Sequence, residues 1–161
     1  MNRVLLLALI MPSLNSAYAE SQIVYGQDNR KDLKNIKDVQ AKKLTSSIAG
    51  RIFKYALSDE GRHYSIEDFK TLAESMNVCS GERFENQPTI VDCTGFLISP
   101  NLLATAGHCI VNAGQTLRNG FSQNCEFYSW IFDFNVSKQD KLNLKKISKN
   151  RVYGCKKVIS A

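Results

Sequence analysis

The stretch from Cys93 to Cys109 constrains the fold of this chain more than any other. It reads Cys-Thr-Gly-Phe-Leu-Ile-Ser-Pro-Asn-Leu-Leu-Ala-Thr-Ala-Gly-His-Cys. Gly95 to Ser99 is one strand-like run, Pro100-Asn101 is a turn pair and Leu102 to Ala106 is the return, which together predict a β-hairpin. A cysteine opens the hairpin and another comes directly after the histidine. A bridge between them would clamp both strands and fix the loop that carries His108. Gly107 breaks the strand before His108, and the small residues Ala104 to Gly107 allow close backbone approach and leave an imidazole room. A rigid loop of this kind suits a general base, which must be held within hydrogen-bond reach of its nucleophile.

Short strand signals recur on both sides of this hairpin. Ser46 to Leu57, Thr89 to Asp92, the aromatic run Phe127 to Val136, Leu142 to Ser148 and Arg151 to Ile159 all read as strands. Many short strands at regular spacing predict an all-β fold, an antiparallel barrel or sandwich. Ser65-Ile66-Glu67-Asp68 is a capping-type start for a short helix through about Met76. Residues 20–45 are polar and charged, with turn formers at Gly26, Asp28 and Asn29, and read as an extended leader or pro-segment.

The first 19 residues have the order of a secretory signal. Arg3 is the positive start, Val4 to Met11 the apolar centre, and Ala17-Tyr18-Ala19 a small-x-small cleavage site. The apolar run is too short to span a bilayer, which needs about 20 residues, and no later segment could do so. The expected location is therefore secreted or periplasmic. Export makes the five cysteines disulfide candidates first. Cys125 and Cys155 flank predicted strands and could close a second bridge, leaving Cys79 odd. A zinc site is the rival, but there is no C-x-x-C, and adjacent His108 and Cys109 suit a tetrahedral site poorly. No metal and no cofactor are expected.

The net charge is +6, and +5 once Arg3 leaves with the signal. Lysines concentrate at Lys31 to Lys43 and Lys138 to Lys157. These segments carry few interleaved aromatics, so they read as solvated surface, not as a nucleic-acid groove. With 43% hydrophobic and 22% charged residues, the composition is that of one globular domain.

Cys-x-Gly-x-Leu-Ile followed at this interval by Thr-Ala-Gly-His-Cys resembles the trypsin/chymotrypsin superfamily of serine proteases. Thr-Ala-Gly-His-Cys is similar to that family's histidine signature, usually Thr-Ala-Ala-His-Cys. The resemblance implies a Greek-key antiparallel β-barrel of the chymotrypsin-like fold over residues 46–161, the first barrel of two. It also implies a histidine-loop disulfide between Cys93 and Cys109, and His108 as general base. Ile23-Val24-Tyr25-Gly26, followed by Asp28-Asn29-Arg30, is similar to the mature start of bacterial glutamyl endopeptidase-like enzymes, which would make Ile23 a processed N-terminus. Segments Cys79 to Gln87 and Trp130 to Phe134 resemble bacterial secreted trypsin-like proteins less specifically.

Downstream of the histidine the chain departs from the family. A triad needs a carboxylate and a serine. The aspartates after His108 are Asp133, in the aromatic run, and Asp140, in a lysine-rich turn, and neither has the family's context. The later serines are Ser122, Ser129, Ser137, Ser148 and Ser160, none within Gly-Asp-Ser-Gly-Gly or a Gly-x-Ser-x-Gly elbow. The expectation is a secreted serine endopeptidase by family, acting on protein or peptide substrates, present as an N-terminal portion that lacks the catalytic Asp, Ser and second barrel and is inactive as written. A non-catalytic secreted binding module is the alternative, and a basic surface-binding protein a third.

Overall fold

β1 (Ile48–Phe53) is buried on both of its faces, and the rest of the sheet is laid out around it. The computed structural model describes residues 27–112, 117, 120, 122–135 and 143–160. The signal segment, Ile23, Ser137 and Asp140 lie outside the described residues. The chain divides into two units, Met1–Arg30 and Lys31–Ala161. In the described part of the first, Arg30 forks onto Asp28 through Nε and Nη2, both at 2.9 Å.

The second unit holds the strands. β1 pairs antiparallel with β4 (Cys93–Ser99) on one side and with β6 (Tyr128–Phe132) on the other. β5 (Leu102–Thr105) continues from β4, and β8 (Val152–Gly154) adds to β6, so the five-stranded order is β5-β4-β1-β6-β8. The sheet curls into an antiparallel half-barrel, the form of a first chymotrypsin-like barrel. A second, three-stranded sheet has the order β2 (Ser58–Asp59), β3 (His63–Ser65), β7 (Ile147–Ser148).

On one face of the large sheet, Ile52 and Ile131 pack with Ile66, Leu144 and Ile147 into the main core. Ile52 and Ile66 are almost fully buried, and each such burial is worth about 1.5–3 kcal/mol. Gly50 shares this face and is closely covered, since a Cβ there would sit 2.7 Å from Val91 Cγ1. The opposite face carries Ala49, Arg51 and Trp130 in a buried row.

Three sequence expectations are corrected locally. The 20–45 stretch is not extended throughout. Val39–Thr45 is helical (α1), because Asp38 Oδ1 accepts from the amides of Gln40 and Ala41 and satisfies the first turn. The later helix starts at Leu72, not near Ser65. Thr71 forms a capping box with Glu74 for α2 (Leu72–Met76), while Ser65 belongs to β3 and donates its hydroxyl to Glu60. Thr89 to Asp92 is not a strand: Thr89 N donates to Lys70 O and Asp92 N to Arg51 O, so its backbone groups go to different partners. A short helix, α3 (Gln123–Phe127), precedes β6, capped by Ser122 Oγ at 3.0 Å from Cys125 N.

Candidate active site around His108

The β4–β5 hairpin closes at Pro100-Asn101, with Leu97 opposite Leu103 and a register shift between Leu97 and Ser99. Gly95 permits the tight stacking of its face: a Cβ there would lie 2.4 Å from Leu103 Cδ2 and 2.8 Å from Trp130 Cζ3. At the open end, Thr105 Oγ1 donates to Thr94 O at 2.7 Å and ties the end of β5 to the start of β4. The chain then leaves β5 through Ala106 into a 3-10 turn, Gly107–Cys109. Cys109 N donates to Ala106 O at 3.0 Å, and the amides of Ile110 and Val111 both reach Gly107 O at 2.9 Å. His108 is the middle residue of this turn.

The turn is anchored from beneath by a covalent bridge. Cys93 and Cys109 are disulfide-bonded, with their Cα atoms 6.1 Å apart. Cys109 is buried while His108 is exposed, so the bridge faces the interior and the imidazole faces solvent. A second bridge joins Cys125 to Cys155, tying α3 to the segment after β8. Cys79 is exposed and unbridged. The sulfurs of Cys93 and Cys109 and a ring nitrogen of His108 all lie within 4.8 Å of one another. Two bonded sulfurs offer no thiolates, so this proximity marks where the staple sits beside the imidazole and is not a metal centre.

An open cleft of about 380 Å³ borders the imidazole, lined by Asp92, Thr94, Ala106, His108 and the bridge. A larger groove, about 600 Å³, runs between Glu67–Lys70 and Thr89–Ile90, apart from the histidine motif. Both oxygens of Asp92 are engaged by Arg51, through Nε at 2.8 Å and Nη2 at 2.6 Å. Among the described residues, the His108 ring takes part in no hydrogen bond or ion pair. The cleft thus presents an exposed imidazole on a rigid turn, able to accept or give a proton at its solvent side.

The other described sequence candidates for the acid and the nucleophile, Asp133, Ser122, Ser129 and Ser148, lie elsewhere. Asp133 comes directly after β6 with a left-handed backbone (φ 53°) and faces Arg151 Nε at 3.6 Å. Ser122 caps α3, Ser129 is buried in β6, and Ser148 donates to Asn150 at 2.7 Å. None of these lines the cleft beside His108. Two residues of the site went unread in the sequence, Arg51 and Asp92. The available signal was an arginine in the middle of the apolar strand Ile-Ala-Gly-Arg-Ile-Phe, where a charge requires a buried partner.

A curled antiparallel half-barrel with a disulfide-stapled histidine loop defines a chymotrypsin-like class of protein. The family model described as Trypsin matches residues 79–151, which contain the whole hairpin, the bridge and His108. Over those residues the chain is similar to the trypsin/chymotrypsin-like serine protease superfamily. No curated protein and no solved structure matches it.

Proposed function

We propose that this chain is the histidine-bearing portion of a secreted serine endopeptidase, with His108 as its general base. The observation that carries this reading is an exposed imidazole on a bridged turn beside a cleft, inside the residues that match the family. In such chemistry the imidazole takes the proton of a serine hydroxyl as it attacks the peptide carbonyl, then returns it to the leaving amine, and an acyl-enzyme is hydrolysed in a second step. That reaction requires peptide or protein substrates. Two disulfides fit an oxidising compartment, in keeping with the signal-like first 19 residues.

No Gly-Asp-Ser-Gly-Gly occurs among these 161 residues, and on this reading the attacking serine and its orienting aspartate are not among them. The likeness of Ile23 to Arg30 to glutamyl endopeptidase starts makes glutamyl bonds the first to include in a substrate panel.

The 161-residue protein, oxidised and purified, is expected to release no product from a peptide library that includes glutamyl bonds. Turnover abolished by both His108→Ala and a serine-directed phosphonate would show that the chain is a complete enzyme and overturn that part of the reading. In a gene product that also carries the serine motif, His108→Ala is expected to lower kcat by about 10⁴–10⁶-fold. An unchanged kcat there would remove the base role from His108. A product without any serine motif that binds peptides and leaves them intact would point instead to a binding module.

A further inference from the structure

Arg51 is a buried charge that the proposed chemistry does not use. We propose that Arg51 is a positioning residue for His108: its guanidinium joins the residue after His108 to the residue before Cys93, and so sets where the His108 turn sits over the cleft. The catalytic consequence rests on His108 being the general base, while the positional coupling does not.

The geometry carries the proposal. Arg51 lies in register with Cys93 on β4 and with Trp130 on β6, at the centre of the sheet. Its side chain is 9% exposed. Nε and Nη2 fork onto the two oxygens of Asp92, the residue preceding Cys93. Nη1 donates to the carbonyl of Cys109, the residue directly after His108. The guanidinium lies over the Tyr128 ring, 4.1 Å from its centroid, which holds its plane. Asn124 Nδ2, at 3.5 Å, is a second and longer contact on the same carbonyl.

One rigid planar group therefore spans both ends of the stapled segment. The disulfide fixes the separation of two sulfurs but leaves rotation about its own bonds. The Cys109 carbonyl held from below removes that freedom for the turn. Burying a guanidinium is costly, and an apolar residue of similar volume would serve a purely packed strand as well or better. A lysine would keep the charge but lose the planar fork. A base displaced by about 1 Å forfeits on the order of 10²-fold in rate.

The test uses the oxidised 161-residue chain labelled at histidine, with Arg51→Gln, Arg51→Lys and Asp92→Asn variants checked for intact bridges and native Trp130 fluorescence. Ring ¹H–¹³C spectra at one pH report His108, and His63 on β3 is the internal control. In all three variants the His108 signals are expected to shift and broaden, the Val111 amide to exchange about tenfold faster, and the His63 signals to stay in place. Lysine is expected not to rescue. The proposal is overturned by folded variants whose His108 signals and Val111 protection match the wild type, or by Arg51→Lys restoring both, which would reduce the role to charge. If Arg51→Gln does not fold, Asp92→Asn decides, because it alters only the half-exposed end of the fork. None of these readouts depends on hydrolysis. A moved His108 in a chain that proves not to be a protease would uphold the positioning and refute only the base role.

Discussion

Gly107 and Gly95 stand in the same hairpin and play opposite parts. A Cβ at Gly95 would enter Leu103 and Trp130, whereas a Cβ at Gly107 meets no atom within 4 Å, and Gly107 does not have a positive φ. The sequence reading of Gly107 as a close-approach residue is thereby corrected, and close approach belongs to Gly95. Gly107→Ala is expected to stabilise the protein by about 0.4–1 kcal/mol through reduced freedom of the unfolded chain. Gly95→Ala is expected to destabilise it by about 1–3 kcal/mol through overpacking. Urea denaturation of the two variants checks both, and a loss of stability in Gly107→Ala would contradict the open space seen at that turn. His108 itself was legible because its motif is local. Arg51 was not, because its partners Asp92 and Cys109 are 41 and 58 residues away.

At the scale of elements, the hairpin, β1, β6 and β8 all stand where the residue pattern places strands; β1, β5, β6 and β8 are shorter than the runs that predict them, while β4 begins two residues early, at Cys93. The helices were less legible. Asp38 and Thr71 won the caps, and which of several polar residues caps a helix depends on which local backbone is free to turn. The link between the two sheet edges β2 and β7 is polar. Lys149 donates to Asp59 at 2.7 Å, and this bond, then the Gly61 amide, holds the Asp59 carboxyl below its usual range. A carboxyl depressed in the folded state contributes stability that is present above its unfolded-state pKa, about 4, and lost as pH falls through the folded value. The urea midpoint of wild type is therefore expected to exceed that of Asp59→Asn at neutral pH, with the gap closing below about pH 4. A gap that persists unchanged in acid would mean that the carboxylate's charge contributes nothing. The pair is exposed, so added salt should shrink the gap as well.

Across the described part of the second unit, one end of the sheet is packed and the other is bare. Ile52 and Ile131 are covered by Ile66, Leu144 and Ile147, but Ile48, Phe96 and Ile98 continue the same face with 44%, 52% and 59% exposure. Ile48 stands directly opposite Phe96 in the register, so the exposed side chains are contiguous. Such a patch binds apolar dyes. Phe96→Thr with Ile98→Thr is expected to lower anilinonaphthalene sulfonate fluorescence by at least about half, while changing stability by no more than about 0.5 kcal/mol per site. Undiminished dye binding would place the accessible apolar surface elsewhere. Among the described residues, no helix is long and apolar enough to cross a membrane.

The sequence by itself determined the all-β class, through short strand runs spread from Ser46 to Ile159, and the β-hairpin that carries His108, which is written within the 17 residues from Cys93 to Cys109. Tertiary structure alone decided that Asp92 is spent on Arg51, that Asp133, Ser122, Ser129 and Ser148 lie apart from the cleft, and that, among the described residues, Ile52 and Ile131 are covered while Ile48, Phe96 and Ile98 are exposed. Those outcomes depend on strand register and on pairings between residues distant along the chain. Local periodicity has no means of encoding them, since one residue of slip would exchange the two faces of every strand.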